Sequence, residues 1–218
     1  MNKKDERGSG VEILYADQQL TVCVKPAGVR SEDELPALLE QETGKKHFCV
    51  HRLDQAVGGL MVLARDGKTA AKLSDAFAAR ETVKQYLAVC PDTLESGSGE
   101  MNDLLFHDSS RNKTFVVSRM RKGVREASLG YQVLRRKDGM ALVAVTLHTG
   151  RSHQIRAQFA ARKAPLAGDG KYGSTVKGCG IALWSCRLCF KHPTKNTPMD
   201  FTLPPPDVYP WTAIKCEE

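Results

Sequence analysis

His51-Arg52-Leu53-Asp54 sets an imidazole, a guanidinium and a carboxylate within four residues, directly before Gly58-Gly59 and an apolar run from Leu60. An opposite charge within reach lowers an aspartate pKa and keeps the carboxylate available as nucleophile or base. The same residues can be read as an Arg–Asp surface pair at a strand start, which contributes little to stability. A second polar segment is Thr149-Gly150-Arg151-Ser152-His153-Gln154-Ile155-Arg156. Here a strand is expected to end in a tight turn and pass at once into a helix capped by Ser152. The first N–H groups of that helix, with Arg151, form an anion site suited to a phosphate. Arg156 lies four residues beyond Ser152 and projects from the same face. The other reading is a helix start with ordinary basic decoration.

Both segments need a scaffold. Apolar runs at 11–17 and 20–25 flank Asp17-Gln18-Gln19 and predict a hairpin, after which Lys25-Pro26-Ala27-Gly28 turns the chain. A helix is expected over about 33–43, with Ser31 or Asp33 as its cap, and an amphipathic helix over 68–81 with Ala70, Leu73 and Phe77 on one face. Strands are expected at 59–64, 84–90, near 114–118, at 127–135, 140–148 and 181–190. Residues 91–103 read as a loop, 152–163 as a helix with Ile155 and Phe159 one turn apart, 164–180 as a Gly/Pro/Asp-rich loop, and the end as a Pro-rich tail. Many strands and about three helices without strict βαβ alternation give an α+β fold with a mixed sheet.

Residues 51–66 and 147–160 closely resemble the paired signatures of RluA-type RNA pseudouridine synthases, H-R-L-D-x-x-T-S-G-L and T-G-R-[ST]-H-Q-I-R. Further matches keep the family's order. Lys25-Pro26-Ala27-Gly28-Val29 is similar to its KPxG turn. Lys84, Tyr86 and Ala88 fit K-x-Y-x-A, and Glu126-Ala127, Tyr131 and Val133-Leu134 fit a later strand. Pro165-Leu166, Gly168-Asp169 and Lys171-Tyr172-Gly173 fit PLxGDxKYG, and Phe190 with His192-Pro193 fits FxHP. So many matches over roughly residues 11–205 are specific at family level. The resemblance implies one catalytic domain over 11–218, with a largely antiparallel central sheet, behind a flexible N-terminus at 1–10. It also implies that the S4 RNA-binding domain of larger members is absent.

The resemblance further implies isomerisation of uridine in RNA without a cofactor, in structured ribosomal or transfer RNA, at a single-stranded or loop uridine. Asp54 matches the catalytic carboxylate. Breaking a glycosidic bond builds positive charge at the sugar carbon, which a carboxylate can stabilise or trap covalently. Arg156 would pair with Asp54. Tyr86 would stack on the uracil and serve in proton transfer, and Ile155 would pack against the base. Arg52 would fill the gap left when the uridine flips out of its stack. His51, Arg151 and His153 are candidate substrate contacts from the same two blocks. Tyr86 as a half-buried strand tyrosine and Ile155 as a core residue are the readings without the resemblance. One departure is plain: the family's Thr-Ser is Val57-Gly58 here.

Composition agrees with such a chain. With 218 residues, 41% hydrophobic and 26% charged, it can bury a core without disulfide or metal staples, which excludes disordered and collagen-like classes. The net charge of +7 divides into −5 over residues 1–109 (13 Lys/Arg, 18 Asp/Glu) and +12 over 110–218 (19 and 7). The basic excess points to a polyanionic partner or to a merely basic surface. Residues 111–137 hold nine Lys/Arg and one acid, and Arg119, Arg121, Lys122 and Arg125 are the expected contacts to the RNA backbone. Seven cysteines without framework spacing, no signal peptide and no run of about 18 apolar residues predict a cytoplasmic protein off the membrane, expected to be a monomer. Cys186 and Cys189, with Cys179 and His192, allow a zinc reading. However, three-residue spacing in a strand sends the two thiols to opposite faces, so no metal is expected. A non-catalytic RNA-binding protein of the same fold is the alternative function, favoured only by Val57-Gly58.

Overall fold

Gly58-Gly59-Leu60-Met61-Val62-Leu63-Ala64 has no polar side chain, and it forms a strand that is buried along its whole length. The computed structural model describes residues 10–214. The flexible segment expected at 1–10 therefore lies, except for Gly10, outside the described residues. In chain order the elements are β1 (Ile13–Ala16), β2 (Leu20–Lys25), α1 (Glu34–Thr43), β3 (Phe48–Cys49), β4 (Gly58–Ala64), α2 (Gly67–Ala78), β5 (Val83–Pro91), β6 (Ser98–Asp108), β7 (Lys113–Val117), β8 (Val124–Lys137), β9 (Met140–Leu147), α3 (Gln154–Ala161), β10 (Leu183–Lys191), β11 (Pro198–Thr202) and α4 (Trp211–Ile214).

Side chains alternate across a strand, so β4 serves two apolar clusters. Met61 and Leu63 join Leu35 and Leu39 of α1, whereas Leu60, Val62 and Ala64 join Leu73 and Phe77 of α2. Cover on both faces explains why the run is continuous rather than alternating. The strand order is β1-β2-β4-β10-β5-β9-β8-β6-β7, with β3 also paired to β4 and β11 to β10. Among the described residues only β4 and β10 run parallel; the other pairs are antiparallel, as the α+β expectation with a mixed, largely antiparallel sheet requires. At the parallel pair Gly59 takes φ +118°, and a β-carbon there would stand 2.4 Å from the Ser185 carbonyl oxygen.

Several boundaries differ from the sequence reading. Asp33, not Ser31, caps α1, by accepting from the Glu34 N–H. Helix α2 stops at Ala78 instead of 81, because Arg80 turns left-handed (φ 62°) and the Glu81 N–H closes back on the Ala76 carbonyl at 3.0 Å. The loop expected over 91–103 is half strand: β6 pairs with β8 from Ser98 onward and buries Met101 and Leu105. Gly97 and Gly99 among serines masked that alternation. The tail carries β11 and α4, whose Trp211 and Ile214 are buried, so the described residues hold four α-helices rather than about three. A 3-10 turn, Gly170–Tyr172, interrupts the 164–180 loop.

Candidate active site

The two signature segments meet in space. A cavity of about 440 Å³ is lined by all eight residues expected there: His51, Arg52, Asp54, Tyr86, Arg151, His153, Ile155 and Arg156. Their carriers are the loop before β4, the strand β5 and the turn into α3. Arg119, Arg121, Lys122 and Arg125 lie apart from it, exposed on and beside the β7–β8 turn.

Asp54 is held from one side. Arg156 donates from Nη1 to Asp54 Oδ2 at 3.0 Å, and its Nε and Nη2 grip Asp169 at 2.6 and 3.0 Å. Arg156 and Asp169 are buried, while the Asp54 side chain keeps 21% exposure toward the cavity. Burial works against the Arg156 cation. Its hydrogen bond to Asp169 and the charges of Asp169 and Asp54 offset this and hold the guanidinium above its ordinary pKa. The Arg156 guanidinium also lies over the Tyr172 ring, 5.0 Å from its centroid. The Tyr172 hydroxyl takes the Thr114 N–H, donates to the Thr114 carbonyl, and meets His153 Nδ1 at 3.1 Å. His153 Nε2 then stands 3.8 Å from Asp54 Oδ2. Burial lowers the His153 pKa against the pull of Asp54, which favours the neutral ring.

The turn into α3 is built differently from the expectation. The helix begins at Gln154, and its N-cap is His153 in the left-handed region (φ 52°) without a side-chain cap, so Ser152 is not the cap. Gln154 replaces it. Its Oε1 accepts from Thr149 Oγ1 at 2.7 Å and from the Arg151 N–H at 3.0 Å, and its Nε2 donates to the Ser128 carbonyl. Ser152 Oγ instead accepts from Arg52, whose other nitrogen donates to Glu32 at 3.1 Å. Arg151 donates from Nε to the Glu126 carbonyl.

The Asp54 loop is fastened from below. Lys25 is fully buried and donates to the carbonyls of Pro26, Val29 and Gln55 at 2.9, 2.6 and 3.2 Å. Burial lowers its pKa to about 8, against the opposing charges of Asp54 and Glu34. Ser31 Oγ donates to the Leu53 carbonyl and accepts the Leu53 N–H. His51 Nε2 accepts the Val62 N–H at 3.1 Å, and its ring stacks on Phe77 at 4.4 Å. Burial, then the Lys84 charge, lowers the His51 pKa to about 3. His51 thus lines the cavity as a neutral anchor with one ring nitrogen already committed.

Tyr86 is 6% exposed and shares an apolar cluster with Ile155 and Leu183. Burial and the Asp54 charge raise its pKa, so the phenol keeps its proton at neutral pH. The departure at Gly58 has a packing cause, whereas nothing in the structure explains Val57. A β-carbon at position 58 would stand 2.6 Å from Trp184 Cζ3 and 3.2 Å from the Lys25 carbonyl oxygen, so the Trp184 ring fills the space of the family's serine. The zinc reading finds no support in position. Cys186 Sγ donates to the Gln85 carbonyl and Cys189 Sγ to Asp200, and among the described residues no three His, Cys, Asp or Glu converge on a metal.

Sequence reasoning missed the site roles of Lys25, Gln154, Asp169 and Tyr172, and it offered Ser31 only as a helix cap. Lys25, Asp169 and Tyr172 fall inside the family-like KPxG and PLxGDxKYG blocks, and that was the available signal. Ser31 and Gln154 carried none beyond position.

Residues 19–161 match the family model described as RNA pseudouridylate synthase. The chain is 27% identical over 205 residues to an uncharacterized RNA pseudouridine synthase of Mycoplasma genitalium, covering 89% of this chain and 66% of that one. It is 31% identical over 202 residues to the dual-specificity RNA pseudouridine synthase RluA of Yersinia pestis, covering 87% and 96%. The human RNA pseudouridylate synthase domain containing 4 structure superposes with a TM-score of 0.78 at 23% identity over 95% of both chains, which is a likeness of fold.

Proposed function

The chain belongs to the RNA pseudouridylate synthase family, of the RluA type, and on that premise we propose that it isomerises uridine in RNA to pseudouridine with Asp54 as the catalytic carboxylate. The observation that carries this is the Asp54–Arg156 contact at 3.0 Å at the wall of a cavity that also presents Tyr86 and Ile155. About 440 Å³ lies within the roughly 300–1,000 Å³ of small-molecule pockets, enough for one flipped nucleoside.

The chemistry follows from these groups. As the N1–C1′ bond breaks, positive charge grows at C1′, and Asp54 stabilises or captures it. The uracil stays between Tyr86 and Ile155 while it turns to present C5. The C5–C1′ bond then forms, the C5 proton leaves to solvent and N1 takes one up, so the change is an isomerisation. Arg156 holds Asp54 and, already neutralised by Asp169, leaves it a net anion. The protonated Tyr86 phenol is a donor and relay rather than a resting base.

Arg52 is placed to enter the vacated stack once it leaves Glu32 and Ser152. The exposed Arg119, Arg121, Lys122 and Arg125 follow the RNA backbone. Structured ribosomal or transfer RNA, presenting a loop uridine, is the substrate we infer, with a single chain as the working unit. A cytoplasmic site of action suits the described cysteines, which are free thiols. No helix among the described residues is long and apolar enough to cross a membrane. The test is to treat bulk RNA from a strain lacking the protein and to map carbodiimide-dependent primer-extension stops. New stops at defined uridines support the reading. RNA that binds tightly and gains none favours the non-catalytic alternative.

A further inference from the structure

Besides Arg156, four cations line the cavity: Arg52, Arg80, Lys84 and Arg151. Arg52 is occupied by Glu32 and Ser152, and Arg151 by the Glu126 carbonyl. Among the described residues, the side chains of Lys84 and Arg80 have neither a carboxylate nor a hydrogen-bond acceptor. Lys84 is half-buried on β5, two residues before Tyr86, so both project from one face of the strand into the cavity. Its ammonium lies against the Thr149-Gly150 turn, where a β-carbon on Gly150 would approach Nζ to 3.4 Å. Burial and the neighbouring Arg80 charge both lower the Lys84 pKa. The Lys84 ammonium lies over the Phe77 ring, 5.8 Å from its centroid. Two like charges are still held together without an anion, and a half-buried ammonium without one is unfavourable.

A second concavity, of about 330 Å³, adjoins the first and shares Arg80 and Thr149 with it. Its wall carries Asn102, Asp103, Glu126 and Ser128, groups suited to base edges and unsuited to phosphate. A strand running from one concavity to the other passes the two unpaired cations at the boundary.

We propose that Lys84, with Arg80, seats the phosphodiester linkage joining the flipped uridine to its neighbour, and that the neighbouring nucleotide lies in the second concavity. This rests on the uridine-flipping reading above. A lysine suits the task as a compact point charge, and Gly150 leaves the room a phosphate oxygen needs.

The probe is the pentaribonucleotide AAUAA in three forms: all phosphodiester, or with one neutral methylphosphonate 5′ or 3′ of the uridine. Binding is measured for the full chain carrying Asp54→Asn, alone and combined with Lys84→Met or Lys84→Arg. With Lys84 present, one of the two neutral linkages weakens binding about tenfold. Lys84→Met weakens the all-phosphodiester form by the same factor and becomes indifferent to that linkage, whereas Lys84→Arg keeps the sensitivity. Equal responses of the Lys84 and Lys84→Met proteins to both neutral linkages overturn the seat. Pseudouridine formation by wild type is read separately. A missing linkage effect with intact activity removes the seat alone, and a linkage effect without activity removes the catalytic reading alone.

Discussion

Arg156 holds Asp54 by a single nitrogen, Nη1, at 3.0 Å, and gives the rest of its fork to Asp169. A guanidinium fixed at one edge by a buried carboxylate cannot swing to chelate Asp54. The consequence is an aspartate that is oriented yet still free to face a substrate.

Asp169→Asn is therefore expected to lower kcat about 10–100-fold while the protein stays folded, because Arg156 is released to turn fully onto Asp54. Arg156→Ala is the harsher change. It strands the buried Asp169 charge and costs about 3–5 kcal/mol of stability. An unchanged kcat in a folded Asp169→Asn protein would show that the second carboxylate has no positioning role.

Gly58→Ser, which restores the family residue, is expected to destabilise the chain by about 1–3 kcal/mol, because Trp184 already fills the site. Trp184→Leu opens that space, so the double variant should lose less than the sum of the two singles. Chemical denaturation of the four proteins measures the coupling, and strict additivity argues against the packing account.

His51 supplies a pH dependence. Its pKa is about 3 in the folded chain against an ordinary 6.5, so between these values the unfolded state binds more protons. Stability must then fall as pH drops from about 6.5 toward 3, and be full above that window. His51→Gln can still accept the Val62 N–H but does not titrate. The stability difference between wild type and His51→Gln should shrink or reverse on acidification from pH 7 to 4, as followed by thermal melts. A pH-independent difference contradicts the buried neutral ring.

The exposed cations of the β7–β8 turn predict a salt effect. Replacing Arg119, Arg121, Lys122 and Arg125 with Gln should reduce the slope of log affinity against log salt by about 3, with kcat little changed. An unaltered slope places the RNA elsewhere.

The convergence of Asp54, Tyr86 and Arg156 on one cavity was legible because HRLD, K-x-Y and HQIR are each compact local motifs. Their supports were not. Asp169 meets Arg156 across 13 residues, Gln154 reaches Ser128 across 26, and Lys25 reaches Gln55 across 30. No local pattern encodes such partners. Strand β4 was legible because burial on both faces leaves an unbroken apolar run, whereas β6 was hidden by Gly97 and Gly99 at its start. Gly58 read as a loss of the family's serine until Trp184, 126 residues later, accounted for the space.

The most direct measurement of the central claim is tritium release from RNA labelled at uridine C5, with wild-type and Asp54→Asn proteins shown to bind that RNA equally. The account predicts release by wild type that matches pseudouridine formed, and none above background by Asp54→Asn. Equal release by both proteins would contradict it.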